Sequence, residues 1–298
     1  MGLLIVGGVL VINQQLNIGQ FVASEIIILL VIESTEKIIL NLENVYDIFT
    51  SLNKVSKLEE FELDEELNDS TNIPLISSPI KLSLKQVNFF YETSSVPVIS
   101  DLDFTFEPGG KYVITGGNGS GKSTLMHLLA GLYKPSSGSI CVNDFPLRQF
   151  SLSAYFEVIG NGLREETIFE GTISDNITLG RAFVSEADLH DAVKHTRLLP
   201  FIQSMPQGLH EPIQPLGKKL PASVVQKIIL ARSIVNQPRL LLLENMLEAI
   251  NEQERKEIID FLCSADRPWT LIAVSGDTYL HEKCTAILQM KEGRWHTR

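Results

Sequence analysis

The sequence predicts an α/β fold with a parallel sheet, preceded by a helical and partly transmembrane segment. Beyond Pro79, short runs rich in β-branched residues or leucine alternate with stretches of helical periodicity. A glycine-rich run at 116–124 lies between one such strand and one such helix, and two almost uncharged runs lie near the N-terminus. Apolar strands that alternate with helices are typical of parallel sheets covered by helices on both faces.

The predicted elements follow this alternation in chain order. The apolar runs at 239–243 and 269–274 are expected to be buried parallel strands. The apolar residues that follow the glycine-rich run recur at helical spacing, which predicts a helix there. In full, we expect strands at 81–90, 98–106, 111–115, 138–142, 155–159, 239–243, 269–274 and 286–290, and helices at 121–132, 186–202 and 222–236.

The composition excludes several classes of protein. A chain of 298 residues, of which 44% are apolar and 20% charged, is long enough for one good-sized core and an appendage, and it is not a disordered composition. The net charge of -11, without a basic stripe, argues against a nucleic-acid partner. The three cysteines, Cys141, Cys263 and Cys284, lack metal-type spacing and are expected to be reduced, buried structural thiols in a cytosolic compartment.

The run GGNGSGKST at 116–124 predicts a site for a nucleoside triphosphate, because it fits the pattern G-x-x-x-x-G-K-[S/T] between a strand and a helix. Small residues let backbone N–H groups wrap the β-phosphate, Lys122 can reach the β and γ oxygens, and the Ser123 hydroxyl can complete a Mg²⁺ shell. An ordinary Gly/Ser turn is the alternative, and the flanking strand and helix argue against it. The predicted nucleotide-binding residues of this loop are Gly116, Gly117, Asn118, Gly119, Ser120, Gly121, Lys122, Ser123 and Thr124.

The N-terminus carries two apolar runs separated by a polar stretch. Residues 1–12 carry no charge, 21–32 carry only Glu25, and 13–20 are largely polar. Each run has about a dozen residues whereas a membrane span needs about 20, so a buried soluble helix or a β segment is one interpretation. The other is that a membrane helix ends here, turns at 13–19 and is followed by a second helix that continues into the cytosol. A signal peptide is disfavoured by the missing basic region and cleavage site.

The chain is predicted to have three parts. From Glu33 onward, apolar residues recur at steps of four and three along one stripe of a long helix. Residues 57–79 are acidic and then rich in proline and serine, which is typical of a solvated linker. We therefore expect a helical part at 1–56, which on the second interpretation is the end of a transmembrane domain with its cytosolic helical extension, followed by a linker at 57–79 and a nucleotide-binding domain at 80–298.

Taken in order, these features resemble the nucleotide-binding domain of ABC transporters, fused behind the end of a transmembrane domain as in bacterial ABC exporters. Residues 7–12 and 18–23 are similar to parts of the last two membrane helices of such an exporter, and the resemblance covers nearly the whole chain. It implies a P-loop NTPase fold, ATP and Mg²⁺ as cofactors, and a homo- or heterodimeric ABC partner subunit. It also implies a lipid bilayer, with the nucleotide-binding domain on the cytoplasmic face of the inner membrane, and leaves open whether another chain supplies the remaining membrane helices.

The resemblance assigns roles to residues outside the glycine-rich loop. Tyr91 lies where the family has an aromatic that stacks on adenine, although a plain strand-end aromatic is the alternative. Residues 170–177 are similar to the segment that follows the family's Q-loop, but the glutamine position is occupied by Arg164 or Glu165. Glu244 ends the strand whose last carboxylate, usually Asp, orients the Mg²⁺ shell.

The family signature LSGGQ aligns with Leu220, Pro221, Ala222, Ser223 and Val224, of which only Leu220 matches outright. In the family this segment closes on the γ-phosphate held by the opposite subunit, through a serine hydroxyl and glycine N–H groups at a helix N-terminus. Ser223 can offer a hydroxyl, whereas Pro221 and Ala222 alter the approach. We therefore expect a weakened clamp.

The catalytic positions of the family are also altered. Asn245 stands in place of the glutamate that polarises the attacking water, and an amide cannot accept its proton. Gly276 replaces the switch histidine that contacts the γ-phosphate, and His281 is not expected to substitute for it. Asn251 replaces the aspartate of the family's SALD motif.

The sequence thus implies an ATP-binding exporter subunit with weak or no hydrolysis of its own, and leaves open whether the chain is an enzyme. One alternative is an active transport ATPase that uses Glu244 and a water held by Asn245. Another is a soluble ATP-dependent scaffold whose apolar N-terminus is buried against a partner.

Overall fold

The computed structural model describes residues 2–59, 78–92, 96–163 and 167–296. The chain divides into two units, with the boundary between residues 66 and 67. That boundary, and most of the predicted linker at 57–79, lie outside the described residues. The predicted limits of the three parts therefore remain predictions, and each unit is described by itself.

The N-terminal unit is a pair of helices, α1 (Gly2–Ile12) and α2 (Ile18–Glu59), as expected for two helices joined by a turn. The side chains of Asn17 and Gln20 begin α2, because each accepts a hydrogen bond from the other's backbone N–H, at 3.1 and 2.7 Å. A Cβ atom on Gly7 would lie 2.2 Å from the ring of Phe21. The glycine therefore allows the two helices to approach at this point.

Helix α2 continues the second apolar run without a break. Its stretch Ile18–Ser56 is long and apolar enough to cross a membrane, with a mean hydropathy of 1.7 in its best window, and none of that window is buried within the described structure. Leu29 and Leu30 are each more than half exposed. An apolar run of a dozen residues is too short to cross a bilayer, but this continuous helix is long enough.

The second unit is an α/β domain whose elements alternate as the sequence predicts. Its strands are β1 (Leu82–Phe89), β2 (Ile99–Phe106), β3 (Lys111–Thr115), β4 (Ser137–Val142), β5 (Phe145–Pro146), β6 (Ile159–Gly162), β7 (Gly171–Thr172), β8 (Pro212–Ile213), β9 (Leu240–Glu244), β10 (Thr270–Val274), β11 (Ala286–Lys291) and β12 (Arg294–Trp295). Its helices are α3 (Lys122–Leu129), α4 (Leu152–Val158), α5 (Ile173–Thr178), α6 (Glu186–His195), α7 (Leu199–Ser204), α8 (Ala222–Ile234), α9 (Glu252–Cys263) and α10 (Thr278–Lys283), with 3₁₀ turns at 147–149, 208–210 and 215–217.

A mainly parallel sheet positions the candidate site. Its described strands run in the order β12-β11-β3-β10-β9-β6, all parallel except β12. Every residue of β9 and β10 is buried, as predicted for central strands covered on both faces. A second sheet, β2-β1-β4-β5, is antiparallel and shares a core with one face of the parallel sheet and with α3, whereas α8 and α9 pack on the other face.

Two predicted elements are wrong in part. Residues 155–159 were expected to form a strand, but α4 ends at Val158 and the strand β6 begins only at Ile159. The ring of Tyr155 is fully buried, and its hydroxyl donates to the Leu129 carbonyl at 2.7 Å, a contact that holds α4 against α3. The predicted helix at 186–202 is divided into α6 and α7, because Arg197 adopts a φ of 59° and Pro200 lies in the first turn of α7.

The expectation that all three cysteines are buried is also wrong in part. Cys141 is buried, whereas Cys263 and Cys284 are partly exposed.

Candidate nucleotide-binding site

The phosphate-binding loop, residues 116–124, joins the carboxyl end of β3 to α3 as predicted. Gly116 has a φ of 149°, and a Cβ atom there would lie 2.2 Å from the Met290 carbonyl oxygen of β11. Gly121, with a φ of 96°, has a left-handed conformation just before α3. A side chain at either position would displace the loop, so the glycines are required by geometry as well as by the approach of a phosphate.

The ammonium group of Lys122 lies over this loop. Its Nζ atom donates to the carbonyl oxygens of Gly116 and Gly117 at 2.9 and 2.7 Å, and it lies 3.2 Å from the Ser120 hydroxyl oxygen. The positive charge is thereby held where the pattern expects the β and γ oxygens of a triphosphate. Of the other predicted residues, Ser120 and Thr124 are buried, whereas Gly117, Asn118 and Gly119 are exposed.

Ser123 and Glu244 meet at the edge of the sheet, although 121 positions separate them. The Ser123 hydroxyl donates to the Glu244 Oε1 atom at 2.5 Å. Glu244 ends β9 and is only 3% exposed, and within the described residues its Oε2 atom has no hydrogen-bond partner. A buried carboxylate oxygen without a partner is costly, and a hydroxyl with a carboxylate is an oxygen donor set that suits Mg²⁺. These residues fit the predicted metal position.

Tyr91 lies beside the helix that follows the loop. Its hydroxyl forms a 3.0 Å hydrogen bond with the Thr124 hydroxyl, and its ring packs edge-to-face against Phe89 and Tyr133. The side chain is 39% exposed. The structure thus brings Tyr91 to the phosphate-binding loop, while its stacking on adenine stays a prediction.

The loop after β9 contains Asn245 and is tied to α8 by a residue that the sequence did not single out. Asn245 adopts a φ of 52°, and its N–H donates to the Val274 carbonyl at 2.9 Å. The Gln226 amide donates to the Asn245 carbonyl at 3.4 Å and accepts from the Ala249 N–H at 2.8 Å. Gln226 therefore connects the signature-like helix to the segment that contains Asn245.

Gly276 follows β10 and has open space where a side chain would extend, since a Cβ atom there would meet no other atom within 4 Å. The next residue, Asp277, caps α10 by accepting from the Leu280 N–H at 2.9 Å and forms a 2.8 Å ion pair with Arg255. The His281 ring lies 3.0 Å from the Ser275 carbonyl oxygen. That His281 does not replace the switch histidine stays a prediction.

The signature-like segment forms the N-terminus of α8. Pro221 precedes the helix and Ala222 is its first residue, and no side chain caps this end in the described structure. Leu220 and Ser223 are half-buried, whereas Val224 is buried in the core. Ser223 therefore lies in the first turn, where a hydroxyl and unpaired N–H groups coincide.

A buried network behind this helix was not predicted. Asn176, fully buried in α5, donates to the carbonyls of Phe169 and Thr172 at 3.0 Å each and accepts from the Phe169 N–H at 3.1 Å. Arg232 of α8 donates to the Asn176 side-chain and main-chain oxygens and to the Thr167 carbonyl, at 2.7 to 3.1 Å. The sequence around Asn176 is largely polar and gave no signal of this burial. The predicted Q-loop positions, Arg164 and Glu165, lie outside the described residues.

Asn251, which stands in the SALD-like segment, has a structural role at the start of α9. Its side chain accepts a hydrogen bond from the Glu254 N–H at 3.0 Å. Glu254 also pairs with the buried ammonium of Lys227 in α8, at 2.8 Å. The N-cap is a role that either Asn or Asp fills, so the substitution preserves the local helix start.

Comparisons with known proteins agree with this geometry. Residues 99–247 match the family model described as ABC transporter. The chain is 27% identical over 257 residues to the colicin V secretion/processing ATP-binding protein CvaB of Escherichia coli, covering 83% of this chain and 35% of that protein. It is 29% identical over 214 residues to the ATP-dependent lipid A-core flippase of Saccharophagus degradans, covering 72% of this chain and 36% of that protein. The chain thus spans about a third of the length of these curated relatives.

The fold also matches a solved structure. A bacterial Atm1-family ABC exporter with ATP bound superimposes with a TM-score of 0.74 at 24% identity, covering 84% of this chain and 43% of that one. The predicted fold class, an α/β P-loop domain with an N-terminal apolar helix, is confirmed by this similarity and by the described strands and helices.

Proposed function

Because the chain belongs to the ABC transporter family, we propose that it is the ATP-binding subunit of a membrane exporter, with weak or no ATP hydrolysis of its own. The observation that carries the proposal is a contrast within one site. The loop, Lys122, Ser123 and Glu244 have the arrangement that binding requires, whereas Asn245 and Gly276 lack the groups that act on water and on the γ-phosphate.

Binding is supported by the groups that surround the phosphate-binding loop. Lys122 holds positive charge over the loop, and the backbone N–H groups at the start of α3 favour an anion there. Mg²⁺, when bound, would neutralise phosphate charge, held by the Ser123 hydroxyl and, through water, by Glu244. Tyr91, half-exposed beside Thr124, offers a ring on which adenine can stack.

Hydrolysis needs further groups that this chain lacks. Phosphoryl transfer depends on positioning water and on stabilising charge, and the loss of one such group commonly costs two or more orders of magnitude in rate. Asn245 can hold a water molecule through hydrogen bonds but cannot accept its proton. Gly276 places no donor near the γ-phosphate. Two losses in one site make efficient turnover by this chain alone improbable.

The partner and the location are part of the same proposal. The exposed apolar surface of α2 suits a lipid bilayer, with the nucleotide-binding unit on the cytoplasmic face of the inner membrane. The named relatives are a secretion ATP-binding protein and a lipid flippase, about three times as long as the aligned region. In a homo- or heterodimer of ABC subunits, Pro221 and Ala222 would face the nucleotide that the partner subunit holds. A partner with the full set of catalytic groups would compensate for this weakened signature. A further chain can supply additional membrane helices.

The test measures binding and hydrolysis in one detergent-solubilised preparation of the full chain. Lys122→Ala is expected to weaken Mg·ATP binding by about 10-fold or more, the equivalent of about 1.4 kcal/mol. Lys134→Ala, a matched change of an exposed lysine just beyond α3, is expected to leave binding unchanged. Phosphate release by the unaltered chain is expected to lie far below the ordinary range of about 1 s⁻¹ or faster. The double variant Asn245→Glu with Gly276→His is expected to raise it at least 10-fold.

Three results would count against the proposal. Turnover of the unaltered chain at ordinary rates, abolished by Lys122→Ala, would make the protein an active transport ATPase. Absence of Mg·ATP binding, with and without a candidate partner subunit, would remove the transporter interpretation altogether. Solubility of the full chain without detergent would favour the scaffold.

A further inference from the structure

A single carboxylate interrupts the apolar first half of α2. Residues 18–32 carry no charged side chain other than Glu25. Glu25 lies seven positions beyond Ile18, which is about 10 Å along the helix axis at about 1.5 Å per residue. The hydrocarbon core of a bilayer is about 30 Å thick. In a span that begins near Ile18, the carboxylate therefore lies inside the hydrocarbon, because a glutamate side chain is too short to reach the interface from there.

Glu25 belongs to the stripe of α2 that packs on α1. A Cβ atom on Gly7 of α1 would lie 2.2 Å from the ring of Phe21, which is one helical turn before Glu25. The half-buried residues of this stretch recur at helical spacing and are Phe21, Ser24, Glu25 and Ile28. Their neighbours at 22–23, 26–27 and 29–30 are exposed. The Glu25 side chain therefore lies on the side of α2 that α1 covers in part, and not on the side open to lipid.

The N-terminal unit offers this carboxylate no partner among its described residues. Glu25 takes part in no hydrogen bond or ion pair there, and the Ser24 hydroxyl donates to the Phe21 carbonyl of its own helix at 2.7 Å. Residues 1–36 contain no Lys, Arg or His, and the first basic residue, Lys37, is paired with Glu33 at 2.8 Å. A second copy of this chain would bring a second Glu25 into the membrane and no cation from the same segment.

A charge in this position is costly unless it meets an opposite charge. Ionisable residues within membrane spans face the protein interior, pair with another group and are generally functional. The partner of Glu25 has to come from outside residues 1–36. Apolar side chains flank the carboxylate on the same stripe, Phe21 one turn before it and Ile28 one turn after it. A carboxylate between two apolar walls suits a cation that carries apolar substituents, since binding sites combine an apolar lining with a few placed polar groups.

We propose that Glu25 recognises a positively charged organic group, an ammonium or a guanidinium, of the molecule that the exporter transports. This inference rests on the proposed function and assigns the class of cargo, an organic cation with apolar substituents. The Glu25 carboxylate forms an ion pair with the charged group, and Phe21 and Ile28 contact the apolar part. The cargo thereby supplies the counter-charge that the segment itself lacks.

The experiment uses the full chain in lipid nanodiscs and dicyclohexylcarbodiimide, a lipid-soluble reagent that modifies accessible carboxyl groups in apolar surroundings. The probe is tetraphenylphosphonium, an organic cation with apolar substituents. At about ten times its Kd, modification of Glu25 is expected to slow about 10-fold, because the fraction of free sites falls to about a tenth. Peptide mass spectrometry measures the rate. Tetraphenylborate, an anion of similar size and shape, is expected to leave the rate unchanged.

Two variants separate a site from a general effect of the cation on the membrane. The double variant Glu25→Gln with Ile26→Glu moves the carboxyl group by one position to an exposed residue at nearly the same depth. Modification at position 26 is expected to be equally fast with and without tetraphenylphosphonium, because a carboxyl group there faces lipid. Glu33→Gln changes the exposed glutamate that pairs with Lys37 and should leave the protection of Glu25 unchanged.

Four results would overturn the proposal. Tetraphenylborate or sodium chloride could slow modification of Glu25 as much as the organic cation does, or position 26 could be protected equally. Absence of any slowing would mean that the carboxylate meets no organic cation. Mg·ATP binding in the same preparation keeps the two proposals apart. ATP binding without protection refutes the cation site alone, whereas protection without ATP binding refutes the exporter subunit and the assignment of the cation as cargo.

Discussion

The buried side chain of Asn176 provides the sharpest test of what holds the nucleotide-binding unit together. Asn176→Ala removes four hydrogen bonds, three with main-chain groups of Phe169 and Thr172 and one with the guanidinium group of Arg232. Neutral hydrogen bonds contribute about 1 kcal/mol each, and those with a charged partner about 1.5–3 kcal/mol. The free energy of unfolding is therefore expected to fall by about 4–6 kcal/mol.

Urea unfolding followed by tryptophan fluorescence measures this loss in the unit concerned. The two tryptophans, Trp269 and Trp295, both belong to the second unit, and Trp269 is only 2% exposed. With a slope of about 2–3 kcal/mol per molar urea, the midpoint is expected to fall by about 2 M. Asn236→Ala is the matched control, because within the described structure its half-buried amide makes one hydrogen bond, at 3.0 Å to the Glu157 carbonyl, and none to a charged group. It should cost about 1 kcal/mol or less.

A shift of the urea midpoint by Asn176→Ala that is no larger than the shift by Asn236→Ala would contradict this expectation. Such a result would mean that water or a shift of α5 provides hydrogen bonds, at little cost, to the main-chain groups and the guanidinium group that lose Asn176 as a partner. The stability of the unit would then come from apolar packing rather than from this network.

Two further perturbations follow from backbone geometry and from charge. Gly138→Ala is expected to cost about 2 kcal/mol or more in the same urea assay, because φ is +80° and the new Cβ atom would lie 2.2 Å from the Gln86 carbonyl oxygen. Gly109→Ala, with a φ of +74° and open space, should cost only about 1 kcal/mol, and equal costs would contradict the steric argument. The hydrogen bond from Ser185 lowers the pKa of Asp188, which closes the capping box of α6. Its stabilisation is therefore fully present above about pH 4 and lost as the pH falls through the lowered pKa, so the loss of melting temperature caused by Asp188→Asn should be largest at neutral pH and shrink as the pH falls below about 4. A difference that does not change between neutral and strongly acidic pH would refute the assignment.

Local patterns predicted the elements whose information is contiguous in the chain. The strand β3, the phosphate-binding loop and α3 lie within two dozen residues, and each is specified by its own spacing of apolar residues and glycines. The strand expected at 155–159 failed for the converse reason. A short apolar run suits a buried strand or a buried helix equally, and the contact of Tyr155 with the Leu129 carbonyl selects the helix.

In the candidate site, too, some features could be predicted from local sequence patterns and others only from the fold. Lys122, Asn245 and Gly276 can be identified at their motif positions from the sequence alone, because a motif is a fixed spacing of residue types. The hydrogen-bond partner of Ser123 cannot be identified in this way. Glu244 comes into reach of Ser123 only when β9 lies beside β10, which pairs with β3 in the parallel sheet.

By itself, the amino-acid order of this chain determined the class of fold and the glycine-rich loop, and it led to the prediction that Asn245 and Gly276 occupy catalytic positions. Only the tertiary structure decided which distant polar groups meet. The buried contacts of Asn176 with Arg232 and the contact of Ser123 with Glu244 depend on strand order and helix packing. The physical reason is that hydrogen bonds act over a few ångströms of space, and that separation is set by the folded core rather than by distance along the chain.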